Sequence, residues 1–206
     1  HQFPEIEKRR QVWSFKNGVF VGKEWIPDKG IYDCRFYKYE SKEFMCLDPT
    51  IVACKYFDQQ FDDFSHIEKW QDIPTPNFDT ILKYQGFDDE VRSWAYVMSG
   101  RLCYDVGDLD SWQVIPFFKG IAGSGKSTLI NSVFLKFYDS EDIGTLSNNS
   151  ERKFGLSAIM NKFMFVAPEI KADIALEQAE FQSIVSGESV SIAVKNKTAA
   201  SLTWKV

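Results

Sequence analysis

Gly120-Ile-Ala-Gly-Ser-Gly-Lys-Ser-Thr128 fits the phosphate-loop pattern G-x-x-x-x-G-K-[ST]. Its flanks supply the context the pattern requires. Val114 to Phe118 is an apolar stretch that reads as a buried strand, with Pro116 at the strand entry and Phe117 to Lys119 carrying the pairing. Beyond the loop, Leu129, Ile130, Val133, Phe134 and Phe137 fall on one face of a 3.6-residue helix. Strand, glycine loop and helix start, in that order, predict a nucleoside-triphosphate site. Glycines let backbone N–H groups turn inward on phosphates, and the helix start adds partial positive charge. Gly120, Ile121, Ala122, Gly123, Ser124, Gly125, Lys126, Ser127 and Thr128 are the candidate nucleotide-binding residues. Lys126 is expected to reach the β- and γ-phosphates, and the Ser127 hydroxyl to sit on Mg²⁺.

Bulk properties bound the rest. The chain has 206 residues, 44% of them hydrophobic and 16% aromatic, enough for one large core or two small ones. A formal net charge of −5 excludes a globally basic nucleic-acid binder, so any such contact must be a local patch. Cys34, Cys46, Cys54 and Cys103 form no C-x-x-C pair, and His1 and His66 complete no metal set. Free thiols in a reducing compartment are expected. No apolar run approaches membrane-spanning length and no signal peptide is evident, so the expectation is a soluble, intracellular protein. A start at His1 and an end inside an alternating pattern at Val206 suggest a slice of a longer chain.

Residues 1–73 are rich in aromatics and short on helical periodicity. Val12 to Lys16 and Val19 to Val21 flank Asn17-Gly18, a strong hairpin signal, and further strands are expected around Ile31 to Tyr39. Trp13, Trp25 and Trp70 read as core aromatics in preference to base-stacking platforms. Pro74-Thr-Pro76-Asn77 predicts a helix from Phe78, with Phe78, Ile81 and Leu82 on one face. A second helix after Gly86 would present Val91, Trp94, Ala95 and Met98, and end at Gly100. Residues 74–106 are thus a helical lead-in to a nucleotide domain over 107–206. There, Asp142 to Gly144 is a short element, Glu151 to Met160 a helix and Lys162 to Val166 a strand. Ile174, Phe181 and Val185 mark a further helix face. The predicted class is α/β, a mainly parallel sheet with flanking helices.

An ATPase also needs a carboxylate at the end of a second buried strand, and Glu169, after Ala167-Pro168, stands in that place. Glu169 is the candidate partner of Ser127 on the metal and of Lys126 in catalysis. After Ser186-Gly187-Glu188-Ser189, two period-two runs follow: Val190, Ile192 and Val194, then Leu202, Trp204 and Val206. They predict a hairpin with Lys195-Asn196-Lys197 at its tip, suited to gripping a phosphodiester backbone.

The phosphate loop, Phe163-Met-Phe-Val-Ala-Pro-Glu169, Ser186-Gly187-Glu188 and the lysine hairpin, in that order, resemble the superfamily 3 DNA helicases. The likeness is to the poxvirus-type primase–helicases of nucleocytoplasmic large DNA viruses. Pro76 to Phe87, Gly100-Arg101-Leu102 and Trp112 to Phe117 resemble the segment those proteins carry ahead of the ATPase core, and Trp13 to Gly18 their preceding domain. The resemblance implies an AAA+-like P-loop ATPase that assembles as a homo-hexamer and moves along single-stranded or forked DNA. It implies ATP and Mg²⁺ as cofactors and Lys195 and Lys197 as the DNA-facing pair. A viral replication compartment in the host cytoplasm or nucleus, with further replication proteins, is the implied setting. Where many relatives carry two adjacent acids in the second motif, this chain has Glu169 alone. The family's sensor asparagine and trans-acting arginine are expected after Val206, so the core reads as truncated there, and this stretch alone is expected to bind ATP yet hydrolyse it poorly. Two other readings share the phosphate loop: a phosphotransferase or switch NTPase that does not move on DNA, and a DNA-binding replisome scaffold.

Overall fold

In the computed structural model, residues 7–146, 155–168, 178–192 and 200–204 are described. The chain divides into two compact units, His1–Cys103 and Tyr104–Val206.

The first unit is built on a four-stranded mixed sheet in the order β3-β2-β1-β4, with β1 Lys8–Phe15, β2 Gly18–Ile26, β3 Ile31–Lys38 and β4 Val52–Phe57. The first three strands run antiparallel, and β4 returns parallel to β1. A parallel return needs a crossover. The short helix α1, Lys42–Met45, lies in that connection, capped by the Ser41 hydroxyl, which accepts from the Phe44 N–H. Phe44, Leu47 and Ile51 from the crossover pack on Val12, Val21 and Tyr37. Alternation sends Trp13, Phe15, Phe20 and Phe36 to the other face, where Phe61 stacks on Phe36 at 4.5 Å and on Phe20 at 5.2 Å.

The hairpin expected at Asn17-Gly18 exists, shifted by one residue. Phe15 pairs with Gly18, so Lys16 and Asn17 form the turn. Gly18 is a strand residue whose missing side chain is required by β3: a Cβ there would lie 2.2 Å from the Tyr37 carbonyl oxygen. Asn17 turns its amide outward to clamp the Phe61 backbone, accepting from its N–H at 2.8 Å and donating to its carbonyl at 2.9 Å. Trp13 is buried as expected, whereas Trp25 and Trp70 are about half exposed.

Two helices complete this unit, α2 Pro76–Tyr84 and α3 Asp89–Arg101. Pro76 occupies the first turn of α2, two residues before the expected start, where its missing N–H costs nothing. The Thr75 hydroxyl meets Tyr96 at 2.6 Å instead of capping the helix. Asp88 caps α3 by accepting from the Val91 N–H. The inward face of α3 is the expected one only in part, with Ala95 and Met98 partly buried. Tyr96 packs against Phe78 at 4.9 Å and Ser99 is buried, while Val91 and Trp94 are each 43% exposed. The helix passes through Gly100 and ends at Arg101.

The second unit contains α4 Lys126–Ser132, β5 Ile143–Thr145, β6 Met164–Val166, α5 Gln178–Ser186, β7 Ser189–Ile192 and β8 Ala200–Thr203. β5 and β6 pair in parallel, with Ile143 opposite Met164, and β7 and β8 form an antiparallel hairpin. The expected strand over Val114 to Phe118 is not formed. That stretch is irregular and mostly exposed, with Phe117 64% exposed. Pro116 brings no ladder donor, and Phe118 is the anchor, its ring 5.4 Å from that of buried Phe134. A helix expected over Glu151 to Met160 contributes a 3-10 turn, Gly155–Ala158, among its described residues. The core of the unit is Leu156, Ile159, Ile184 and Trp204, with Phe165 and Val190 against it. Gly144 is pressed onto this core: a Cβ there would lie 2.7 Å from Ile159 Cγ2. The described fold is mixed α/β, and no described helix is long and apolar enough to cross a membrane.

Candidate nucleotide-binding site

The Gly120–Thr128 loop folds as a ring closed on its own lysine. The Lys126 ammonium donates to the carbonyl oxygens of Gly120 and Ile121, each at 2.8 Å, and reaches the Ser124 hydroxyl at 3.3 Å. An ammonium carries three hydrogens, and these three oxygens match them. Gly123 and Gly125 take φ of +78° and +87°, a region that L side chains enter at a cost of about 1–2 kcal/mol. Those two reversals bring the chain round within six residues. Gly120 is constrained by space: a Cβ would sit 2.9 Å from Ser124 Oγ. The sequence pattern and the backbone geometry therefore coincide at Gly120, Gly125 and Lys126, and Gly123 adds a left-handed turn at one of the pattern's free positions.

Gly125 also opens α4, and no side chain caps the helix. The first N–H groups of a helix have no partner within it, so the amides following Gly125 add donors beside the ammonium. Ser127 and Thr128 stand on this first turn and are exposed, as are Ile121, Ala122 and Gly123. The apolar face expected after the loop turns inward: Phe134 is buried and Leu129, Ile130, Val133 and Phe137 are partly buried, whereas Ser127, Thr128, Asn131 and Ser132 face solvent. The helix itself stops at Ser132 and yields to a 3-10 turn, Phe134–Lys136.

Glu169, Lys195 and Lys197 lie outside the described residues. Their supporting elements are partly described. β6 ends at Val166, three residues before Glu169. β7 and β8 pair Ser189 with Thr203 and Ile192 with Ala200, so the two lysines fall in the connection 193–199. The expected alternation is present at Val190 and Trp204, which pack on the core, and at Ser189 and Thr203, whose hydroxyls meet at 2.6 Å on the exposed face.

Gly187 and Glu188 have a structural explanation. Gly187 takes φ +71° just after α5. Its N–H donates to the Ile184 carbonyl, and the Glu188 N–H donates to the Ser183 carbonyl at 3.0 Å. These are the two hydrogen bonds of a Schellman C-cap, which needs glycine at its left-handed position. The cap turns the chain out of α5 and into β7, and the Glu188 carbonyl accepts from the Trp204 N–H across the hairpin.

One group of carboxylates escaped the sequence reading. Asp139, Glu141 and Asp142 bring their oxygens within 4.8 Å of one another around a 3-10 turn. Their signal is the D-x-E-D spacing, which is common on solvated turns, and Glu141 is exposed.

Compared with known proteins, residues 118–206 match a family of unknown function (DUF5906). The match takes in both the phosphate loop and the hairpin, and leaves the first unit outside it. No curated protein matches the chain.

Proposed function

We infer that this chain belongs to a DNA-translocating ATPase, a helicase motor that holds Mg·ATP at Gly120–Thr128 and a single DNA strand at the β7–β8 hairpin. The observation that carries the reading is the closed ring at Lys126. Its ammonium is held by three loop oxygens, and Gly125 takes left-handed backbone where the phosphate-loop pattern puts a glycine, with Gly123 adding a second such turn inside the loop.

The donor chemistry fits a triphosphate. Lys126 supplies a compact positive charge, the amides after Gly125 supply aligned donors, and the loop is open to solvent. A β–γ phosphate pair would draw the ammonium from the carbonyls of Gly120 and Ile121 and replace neutral acceptors with charged ones, the stronger bond. Mg²⁺ would be held by the Ser127 hydroxyl and the Glu169 carboxylate; when bound, it neutralises charge developing on the transferred phosphoryl group. Lys126 would hold the transferred phosphate in place, and Glu169 would orient the attacking water. Lys195 and Lys197 would contact DNA phosphates, a contact that reads charge and not sequence. A homo-hexamer would multiply two contacts per subunit and make binding steeply salt-dependent.

The test is ATP turnover by the full-length protein with and without single-stranded DNA. DNA-stimulated hydrolysis, lost in Lys126→Ala, is the expected result. Hydrolysis or phosphate transfer indifferent to DNA would favour a switch or phosphotransferase, and ATP-dependent assembly without turnover would favour a scaffold.

A further inference from the structure

A second feature lies in the first unit, remote in sequence from the phosphate loop. Between the β2–β3 hairpin and α1 runs an open cleft of about 710 Å³. Arg9, Lys23, Arg35 and Lys42 line it, and so does Trp25. The charge of the unit is segregated around it. From Lys8 to Phe57 there are ten lysines and arginines against six acids; from Asp58 to Cys103 there are four against nine. In a chain that is acidic overall, the stretch from Lys8 to Phe57 is net positive.

Three acids also line the cleft, Glu24, Glu43 and Asp48; Glu43 is exposed, and the other two are held by neutral donors. Glu24 accepts from the Tyr37 hydroxyl at 2.5 Å. Asp48 accepts from the N–H and hydroxyl of Thr50, which hold its carboxyl below the usual range, and it faces Arg9 at 3.5 Å. Beside these charges stand two rings that the fold does not bury. Trp25 and Tyr32 are paired across β2 and β3, are 50% and 56% exposed, and meet edge to face at 5.1 Å. The Lys23 ammonium lies 4.4 Å from the Tyr32 ring centre. The ammonium covers one face of Tyr32, yet about half of each residue's surface stays open to solvent, and a phosphate next to a stacked base would draw the ammonium off the ring as the stronger, charged partner.

We propose that this cleft is a second contact site for single-stranded polynucleotide, with Trp25 and Tyr32 stacking bases and Lys23, Arg35 and Lys42 meeting the phosphates. Aromatic platforms alternating with cations form the general grammar of sequence-tolerant single-strand binding. A duplex hides its base faces, so the exposed rings favour the single strand. The site stands on the first unit alone and does not depend on ATP hydrolysis.

The experiment is anisotropy of a fluorescent oligothymidylate titrated with the full chain at several salt concentrations. Trp25→Ala is expected to weaken binding about fivefold or more, the scale of one lost stacked base. Tyr32→Ala serves as the second variant, should circular dichroism show that Trp25→Ala is misfolded. Lys23→Gln with Arg35→Gln is expected to lower the salt slope by about 1.4, from two lost phosphate contacts, and to leave Mg·ATP affinity unchanged. Wild-type single-strand affinity and slope in the folded variants would overturn the proposal, as would equal affinity for a duplex of the same length or for anionic vesicles. A loss confined to Lys195→Ala with Lys197→Ala would overturn it too while leaving the motor reading in place. Lack of ATP turnover with these losses present would do the reverse.

Discussion

The ammonium of Lys126 and the carbonyl oxygen of Gly120 lie 2.8 Å apart, joining the two ends of the phosphate loop. That contact uses the same charge that a triphosphate would need. Gly125, adjacent to the lysine at φ +87°, is the hinge that makes it possible. Gly125→Ala is expected to strain the loop by about 1–2 kcal/mol and to weaken nucleotide binding at least tenfold. A fluorescent ATP analogue titrated into the folded variant measures it; undiminished affinity would show that the loop geometry is not what binds.

Elsewhere in the second unit, Gly187 has a structural task. Its left-handed conformation completes the C-cap of α5, and an added Cβ would also press on Val106 at 3.2 Å. Gly187→Ala is expected to cost about 1–2 kcal/mol of stability with nucleotide affinity retained. Denaturant midpoints alongside the ATP-analogue titration separate the two effects.

In the first unit, Gly18→Ala places a methyl group against the Tyr37 carbonyl and must force β2 and β3 apart. Overpacking of this kind costs about 1–3 kcal/mol or more. Asn17→Ala removes two hydrogen bonds to Phe61, each worth about 1 kcal/mol net. Both are expected to lower the unfolding midpoint, Gly18→Ala more. The reverse ranking would mean that the turn, not the strand contact, governs the hairpin.

The thiols divide by environment. Cys34 and Cys46 are exposed, Cys54 is buried, and burial pushes the Cys103 thiol up to about 12, partly opposed by the Arg10 charge. Though exposed, Cys34 is partly desolvated, and this, helped by the Asp33 charge, raises its thiol too. A thiol-specific chromophoric reagent at neutral pH is expected to react quickly with two thiols and slowly with two. The sign for stability follows from Cys103: a folded value above the ordinary 9.0 keeps the thiol protonated, so its contribution is complete below pH 9 and is lost as pH rises toward 12. Cys103→Ser is expected to flatten that alkaline decline.

Local chemistry made much of this legible in the sequence. The loop glycines, the inward helix face after them, the β7–β8 alternation and the strand at Met164–Val166 follow from steric rules and periodicity, and the structure carries each of them. What could not be read was decided by distant neighbours. Gly18 looked like a turn residue because nothing in the sequence places the Tyr37 carbonyl against it. Val91 and Trp94 looked inward because their spacing is helical, yet Tyr96 wins the inner face through Phe78 and Thr75. The stretch around Pro116 is apolar enough for a strand, and the lost donor prevails. The exposed Trp25–Tyr32 pair was hidden for the same reason: composition counts aromatic rings and does not say which ones the fold leaves uncovered.

The most direct measurement is calorimetric titration of Mg·ATP into the full-length protein and its Lys126→Ala variant. The account requires saturable one-site binding per chain in the first, weakened at least tenfold in the second with its fold intact. Absence of binding heat at millimolar nucleotide across several temperatures, or equal affinity in both proteins, would contradict it.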